Sequence, residues 1–208
     1  MSNCITSIEA DLKDPNIRHI YVDETCVASV SVSDLERLGF ELGQVWNLEE
    51  DDALKQLQSD EKARSIALQL LSRRAWSKKE LKNRLIKRGC ESNNAVVVTD
   101  ELEMDGWLDD LAYAGACIRQ WLRVEPASRR WINHKLAEKG VSDSVASLAI
   151  EEELGEQSEQ KAATELATIR MAKVSNLDET TQRRRVITAL QRRGFSSDVA
   201  SEAFRLAT

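Results

Sequence analysis

The chain has 208 residues, of which only 8 are Gly and 2 are Pro, and 31% are charged. The abundant residue types, among them Ala, Leu, Glu and Lys, favour helices, so a mainly α-helical fold is expected. The four cysteines form no Cys-x-x-Cys pair, which argues against a disulfide framework or a zinc site. No apolar run approaches the roughly 18 residues that span a bilayer. We therefore expect a soluble cytoplasmic protein without membrane association.

The net charge of -6 conceals strong segregation along the chain. Residues 1–61 carry a net charge of -10, whereas residues 62–90 contain ten Lys or Arg and one Glu. Residues 119–140 and 161–194 are also basic, with net charges of +4 and +5. This pattern has two interpretations, and both can hold in the same protein. Neighbouring helices pair their charges, or the basic blocks form a surface for an acidic partner.

The N-terminal 46 residues differ in character from the rest. β-Branched residues recur there at strand-like spacing, and turn-forming residues interrupt them at Asp14-Pro15-Asn16 and at Asp23-Glu24. The segment that begins at Ser33 matches a capping box, and Gly39 marks the end of the short helix that follows. Residues 1–46 are thus predicted to form a small strand-containing module.

A long helix is predicted to begin at Asn47, which is a favourable N-cap and is followed three residues later by Glu50. Its apolar residues fall on one stripe at helical spacing. They are Leu54, Leu57, Ile66, Ala67, Leu70 and Leu71.

The next helix start carries the clearest local signal. Ser77 and Glu80 form a capping box, in which the Ser hydroxyl bonds the Glu N–H and the Glu carboxylate returns to the Ser N–H. Trp76 and Leu81 flank the cap as a hydrophobic staple. This helix is predicted to end at Gly89, because Gly adopts positive φ at little cost.

Three helical units follow from these signals. Val96–Met104 is predicted as a third helix, so residues 47–105 comprise a linker helix and helical repeat 1. Asp109 is the predicted N-cap that opens helical repeat 2, over residues 106–155. Helical repeat 3 is predicted over residues 156–208, and Val145, Leu148 and Ala149 are predicted to continue the third helix of the second repeat.

One segment recurs three times, at Leu85–Cys90, Leu136–Val141 and Leu190–Phe195. Each copy places a Leu four residues before a Gly, with a basic residue directly before the Gly and an apolar one after it. The Leu suits a helix core, the basic residue a helix C-terminus, and the Gly its end. The spacing predicts a tandem array of three three-helix repeats that forms an elongated arc.

The residue types that carry catalysis do not form a recognisable motif. His19 and His134 lack a nucleophile partner in sequence, and no Gly-rich phosphate-binding motif is present. Asp109 and Asp110 are interpreted as capping residues rather than metal ligands. We expect no enzyme activity, metal or cofactor. Core packing, rather than base stacking, is expected for three tryptophans: Trp76, Trp121 and Trp131.

Two classes of binding protein remain. One is a helical module that contacts the phosphates of single- or double-stranded DNA directly. The other is a regulator that lays a long surface along an acidic or nucleoprotein partner, which the acidic overall composition favours modestly. In both, the candidate contact residues are the basic side chains ahead of the first recurring Gly: Arg73, Arg74, Lys78, Lys79, Lys82, Arg84, Lys87 and Arg88.

Taken together and in order, several segments resemble the RecX family of regulatory proteins. Ala67–Cys90 is similar to the family's first repeat, and Gly106–Ala114 is similar to the Gly-x-Leu-Asp-Asp segment that opens its second. The Arg-Arg-Gly-Phe of Arg192–Phe195 matches the third. The resemblance covers roughly residues 60–208, and the strand-containing opening also looks like the N-terminal module of many members.

The chain departs from the family pattern in its second repeat. The loop Glu125–Ser128 lacks the Gly that is usual there, and Lys135 precedes Leu136 where the family usually has Glu. These changes bear on partner contacts rather than on the fold.

The resemblance implies a modulator of the RecA recombinase. Such a protein binds along the groove of the RecA–single-stranded-DNA filament and inhibits ATP hydrolysis, strand exchange and coprotease activity, without chemistry of its own. A monomer is expected, and weak direct binding to DNA is compatible with this role.

Overall fold

The computed structural model describes residues 3–208. The chain divides into two compact units, one ending at Ser65 and the other spanning Ile66–Thr208. The boundaries predicted between the repeats, after residues 105 and 155, stay a prediction.

The first unit contains a three-stranded antiparallel sheet in the order β1-β2-β3. Asp23 and Glu24, at φ 46° and 67°, make the tight turn between the second and third strands. The buried faces enclose a small core that includes Ile5, Ile20 and Trp46. The predicted strand-containing module is therefore confirmed. Its strands are β1 (Ile5–Ala10), β2 (Ile17–Val22) and β3 (Thr25–Ser31).

Helix α1 (Val32–Leu38) begins earlier than the capping box predicted. Ser31, not Ser33, is its N-cap, because the Ser31 hydroxyl accepts a hydrogen bond from the Asp34 N–H at 3.1 Å. Both serines precede an acidic residue by three positions, and the strand β3 runs directly into the earlier one. The prediction for Ser33 is wrong, whereas Gly39 ends the helix at φ 66° as predicted.

Helices α2 (Leu48–Leu71), α3 (Lys78–Lys87) and α4 (Ser92–Met104) follow. The predicted cap at Asn47 is confirmed, since its side-chain oxygen accepts from the Glu49 N–H at 2.7 Å. The boundary between the two compact units falls within α2. Helix α4 starts four residues before the predicted Val96.

We call α3, α4 and the C-terminal part of α2 the first helix group; the remaining six helices form a second and a third group, each around its own core. Helices α5, α6 and α7 pack with one another, and α8, α9 and α10 do the same. Leu148 lies on the third helix of the second group, as predicted, and is 58% exposed. The predicted mainly helical fold with a small sheet is confirmed. The helices are α5 (Asp110–Val124), α6 (Arg129–Glu138), α7 (Asp143–Leu154), α8 (Glu159–Ala172), α9 (Glu179–Arg192) and α10 (Ser197–Ala207).

Candidate interaction surface

The N-terminus of α3 meets the C-terminus of α6. Ser77 caps α3 by accepting a hydrogen bond from the Glu80 N–H at 3.1 Å, as predicted. The same hydroxyl donates to the carbonyl of Lys139, the C-cap of α6, at 2.5 Å. Ser77 is fully buried there. We call this contact the first joint; it places the positive end of one helix dipole against the negative end of another, which is favourable.

A second joint repeats this arrangement between α6 and α9. Ser128 caps α6 by accepting from the Trp131 N–H at 3.1 Å. The backbone N–H of Ser128 donates to the carbonyl of Arg193, the C-cap of α9, at 3.0 Å. Ser128 is buried like Ser77. Helices α3, α6 and α9 are thus connected end to end by capping serines, through the hydroxyl of Ser77 in the first joint and the backbone N–H of Ser128 in the second.

The three recurring glycines end helices, as predicted, at φ between 81° and 88°. Two of them also lie at the joints. A Cβ added at Gly140 would lie 2.8 Å from the Cβ of Lys79, and one added at Gly194 would lie 2.8 Å from the Cβ of Trp131. A Cβ added at Gly89 would have no neighbouring atom within 4 Å. In its second and third copies, the recurring segment therefore allows close contact between helix groups as well as ending a helix.

The adjacent carboxylates Asp109 and Asp110 cap two different helices. Asp109 accepts from the Ala112 N–H at 2.8 Å, which confirms it as the cap of α5. Asp110 accepts from the Lys78 N–H at 2.8 Å and so satisfies the start of α3. Burial raises the pKa of Asp110, and the hydrogen bond from Lys78 opposes that rise. Within residues 3–208, no three His, Cys, Asp or Glu side chains are grouped so that they could hold a metal ion.

Glu80 does not complete the reciprocal capping bond that the sequence predicts. Its carboxylate instead accepts from the Tyr113 hydroxyl at 3.2 Å and lies 3.5 Å from Lys139 Nζ, across the first joint. It also pairs with Arg74 at 3.3 Å, and the Arg74 guanidinium stacks over the Trp76 ring at 3.4 Å. Arg74, one of the eight predicted contact residues, is therefore engaged within the protein.

Lys78 is the second predicted contact residue with internal partners. Its ammonium lies 2.8 Å from Asp100 Oδ1 and 2.5 Å from Glu103 Oε2, both on α4. Hydrogen bonds to these two carboxylates raise the pKa of Lys78, while burial lowers it. The interpretation that neighbouring helices pair their charges holds for Lys78, whereas Arg74 lies in the loop before α3 and pairs with Glu80 on that helix.

The other six predicted contact residues are differently placed. Leu81 and Leu85 face the core with no exposed surface, so the basic positions around them on α3 lie toward solvent. None of the six forms an ion pair with a carboxylate in the described part of the chain. They are Arg73, Lys79, Lys82, Arg84, Lys87 and Arg88.

A second basic surface lies on α8 and α9, where the sequence analysis placed no candidate. The end of α8 and one side of α9 line a cleft of about 480 Å³. The basic block at residues 161–194 indicates this surface in the sequence. The block at residues 62–90 carries more positive charge, and the candidate contact residues were therefore assigned there. Six cations line the cleft: Arg170, Lys173, Arg184, Arg185, Arg192 and Arg193.

Glu125 holds part of this basic cleft in place. Its carboxylate lies 2.5 Å from Arg170 Nη2 and 3.8 Å from Lys173 Nζ, and only 15% of its side chain is exposed. This residue belongs to the loop that departs from the usual Gly-containing pattern. The loop thus supplies a partly buried counter-charge to the end of α8.

Arg193 joins the cleft to the second joint. Its guanidinium donates to the carbonyls of Glu125 and Pro126 and stacks over the Trp131 ring at 4.0 Å. Burial lowers the pKa of Arg193; Glu125 opposes this effect and Arg170 adds to it. Trp131 in turn meets Trp121 edge to face, with ring centroids 5.6 Å apart. The two rings pack within the protein, as predicted, rather than offering a free stacking face.

Two models of family domains match this chain. The model of the first three-helix domain of RecX matches residues 63–102, and that of the third three-helix domain of RecX matches residues 157–204. No helix within residues 3–208 combines the length and apolar character needed to cross a membrane.

Named relatives agree with these matches. The regulatory protein RecX of Pelodictyon phaeoclathratiforme is 32% identical over 144 residues, which cover 69% of this chain and 88% of the relative. That of Amycolatopsis mediterranei is 30% identical, over 67% of this chain and 79% of the relative. A crystal structure of regulatory protein RecX is similar with a TM-score of 0.77 and 22% identity over 99% of both chains, which supports the fold.

Proposed function

Because the chain belongs to the RecX family of regulatory proteins, we propose that it binds the RecA–single-stranded-DNA filament. Bound there, it inhibits RecA's ATP hydrolysis, strand exchange and coprotease activity, and it acts in the cytoplasm. The proposed effect needs no catalytic group or cofactor on this chain, since binding to several RecA protomers is sufficient to hold them in an unproductive arrangement.

The observation that carries the proposal is the unpaired basic surface of the first helix group. Arg73, Lys79, Lys82, Arg84, Lys87 and Arg88 carry six positive charges without an internal carboxylate partner. Exposed charges of this kind contribute little to folding. They are suited to attract an acidic protein surface or the strand within the filament.

The two joints support the same role. They fix α3, α6 and α9 in series through buried serine caps, Ser77 and Ser128. Contacts made by one helix group are therefore coupled to contacts made by the next. A binder that engages more than one protomer gains affinity from such linkage.

The direct experiment measures RecA's DNA-dependent ATPase as this protein is added. With RecA from the same source and low salt, we expect inhibition at substoichiometric protein, because one bound molecule affects several protomers. An ATPase rate that stays unchanged up to equimolar protein would contradict the proposal.

A charge-removal variant tests the surface. In Arg84→Gln/Lys87→Gln/Arg88→Gln, we expect half-inhibition to need about tenfold more protein, since three exposed contacts of about 0.5 kcal/mol each amount to that factor. The matched control, Lys13→Gln/Arg123→Gln/Lys161→Gln, removes three exposed charges elsewhere and should shift the curve less than twofold. Equal shifts in the two variants would show that overall charge, rather than this surface, sets inhibition.

A further inference from the structure

We propose that the cleft between α8 and α9 binds the phosphodiester backbone of a nucleic acid, without any need for RecA. This inference goes beyond the proposed function, because it assigns a second contact to a different helix group. It rests on the composition of the cleft, on its internal support and on its extent.

The cleft concentrates six cations, of which Arg170 and Lys173 share one carboxylate, that of Glu125. Five arginines and one lysine line it, and no acidic side chain is among the lining residues. Arg184, Arg185 and Arg192 are exposed and form no ion pair within residues 3–208. Arginine predominates over lysine, and its planar guanidinium matches the oxygens of phosphate in bidentate geometry. Such a group of like charges is costly in the absence of an anion.

The back of the cleft is held rigidly. Glu125 fixes Arg170, and the carbonyls of the same loop fix Arg193. Nevertheless, Arg170 Nε is buried and has no hydrogen-bond partner among the described residues. Buried hydrogen-bond donors in folded proteins nearly always have an acceptor, so a buried donor without one is unusual. A bound anion that reaches the back of the cleft would supply the missing acceptor.

The basic surface is longer than one phosphate group. Arg184 and Arg192 are eight residues apart on α9, which corresponds to about 12 Å along a helix. Arg192 also lines a neighbouring cleft of about 390 Å³, together with Arg130 and His134 on α6. Cations thus continue from one cleft into the next along the same helix. A chain of phosphates fits this extent better than a single small anion.

An acidic protein is the competing occupant, and the lining argues against it. The apolar residues of the cleft are small or largely covered: Val174, Val186 and Ala189. Protein partners usually insert a large apolar or aromatic anchor into a pocket, and no Leu, Ile, Met or aromatic side chain is among the residues that line this cleft. A polyanion needs only the row of cations, because phosphate contacts dominate its affinity.

The test measures binding of a fluorescein-labelled 15-nucleotide oligothymidylate to the full chain by anisotropy, without RecA. We expect Arg184→Glu/Arg185→Glu to weaken binding at least about tenfold, and to lower the slope of log affinity against log salt by about 1.4, since each lost single-strand phosphate contact contributes about 0.7. The control, Lys161→Glu/Arg183→Glu, makes the same charge change on exposed residues of α8 and α9 outside the cleft. It should bind within twofold of the unaltered chain.

Three outcomes would overturn the proposal. These are no binding by the unaltered chain at low salt, equal losses in both variants, and displacement of the oligonucleotide by poly-glutamate as readily as by unlabelled oligonucleotide. The last result would assign the cleft to an acidic protein. A labelled duplex, measured in parallel, distinguishes single-stranded from double-stranded sources of the backbone.

A second measurement uses the unaltered chain, so its result does not depend on whether the variants fold. Phenylglyoxal modification followed by mass spectrometry should show that the oligonucleotide protects Arg184, Arg185 and Arg192. Arg183, which is exposed on the same helix but outside the cleft, should remain reactive. Uniform reactivity at all four arginines would contradict binding in the cleft. A failure of RecA inhibition leaves this result untouched, so the two proposals fail independently.

Discussion

Gly194→Ala is expected to lower the free energy of unfolding by about 3 kcal/mol. An alanine at φ 84° costs about 1–2 kcal/mol. Its Cβ would also lie 2.8 Å from the Cβ of Trp131 and 3.1 Å from the Trp131 backbone nitrogen, across the second joint. Overpacking against atoms that cannot move aside adds about 1–3 kcal/mol. Urea unfolding followed by far-ultraviolet circular dichroism measures the loss.

Gly89→Ala is the matched control. It has the same backbone conformation, at φ 88°, but no atom lies within 4 Å of the added Cβ. Its expected loss is only the backbone cost of about 1–2 kcal/mol. Equal losses in the two variants would mean that the second joint is not tightly packed, and the double role of the recurring glycine would be wrong.

Glu125→Gln is expected to cost about 2 kcal/mol, because it removes the counter-charge of Arg170 and Lys173 while leaving both cations beside Arg193. Breaking a fully buried pair costs about 3–5 kcal/mol, and exposed pairs contribute less than about 1. This pair lies between those limits, with 33% of the Arg170 side chain and 15% of the Glu125 side chain exposed. Thermal unfolding at moderate salt measures the effect.

Glu151→Gln provides the comparison for that variant. Glu151 pairs with Arg129 at 2.9 Å, but 66% of its side chain is exposed. Its loss should therefore stay below about 0.5 kcal/mol. If Glu125→Gln were as mild as Glu151→Gln, the loop at Glu125 would not support the third helix group as described.

Local signals in the sequence predicted most helix ends. Ser77, Asp109 and the recurring glycines were assigned from capping rules alone, and the structure confirms them. Ser33 failed because two serines in the same strand-to-helix segment satisfy the same rule, and only the path of the strand decides between them. Local rules therefore place an end to within a few residues.

Contacts between distant residues could not be predicted in this way. Ser77 bonds a carbonyl 62 residues away, and the partners of Arg193 lie 67 and 68 residues away. The second role of Gly194 depends on that proximity, so its own segment carries no sign of it. The same limit applies to the charges: the sequence showed two basic blocks, but not that Lys78 is paired or that Arg184 lies beside Arg170 in one cleft.

The central claim, that this protein regulates the RecA filament, is tested most directly by comparing two affinities under the same salt conditions. One is for the RecA–single-stranded-DNA filament, and the other is for the naked strand of the same length. We predict at least about tenfold tighter binding to the filament, a difference of about 1.4 kcal/mol. A tenfold preference for the naked strand would contradict the account and identify a nucleic-acid-binding module instead.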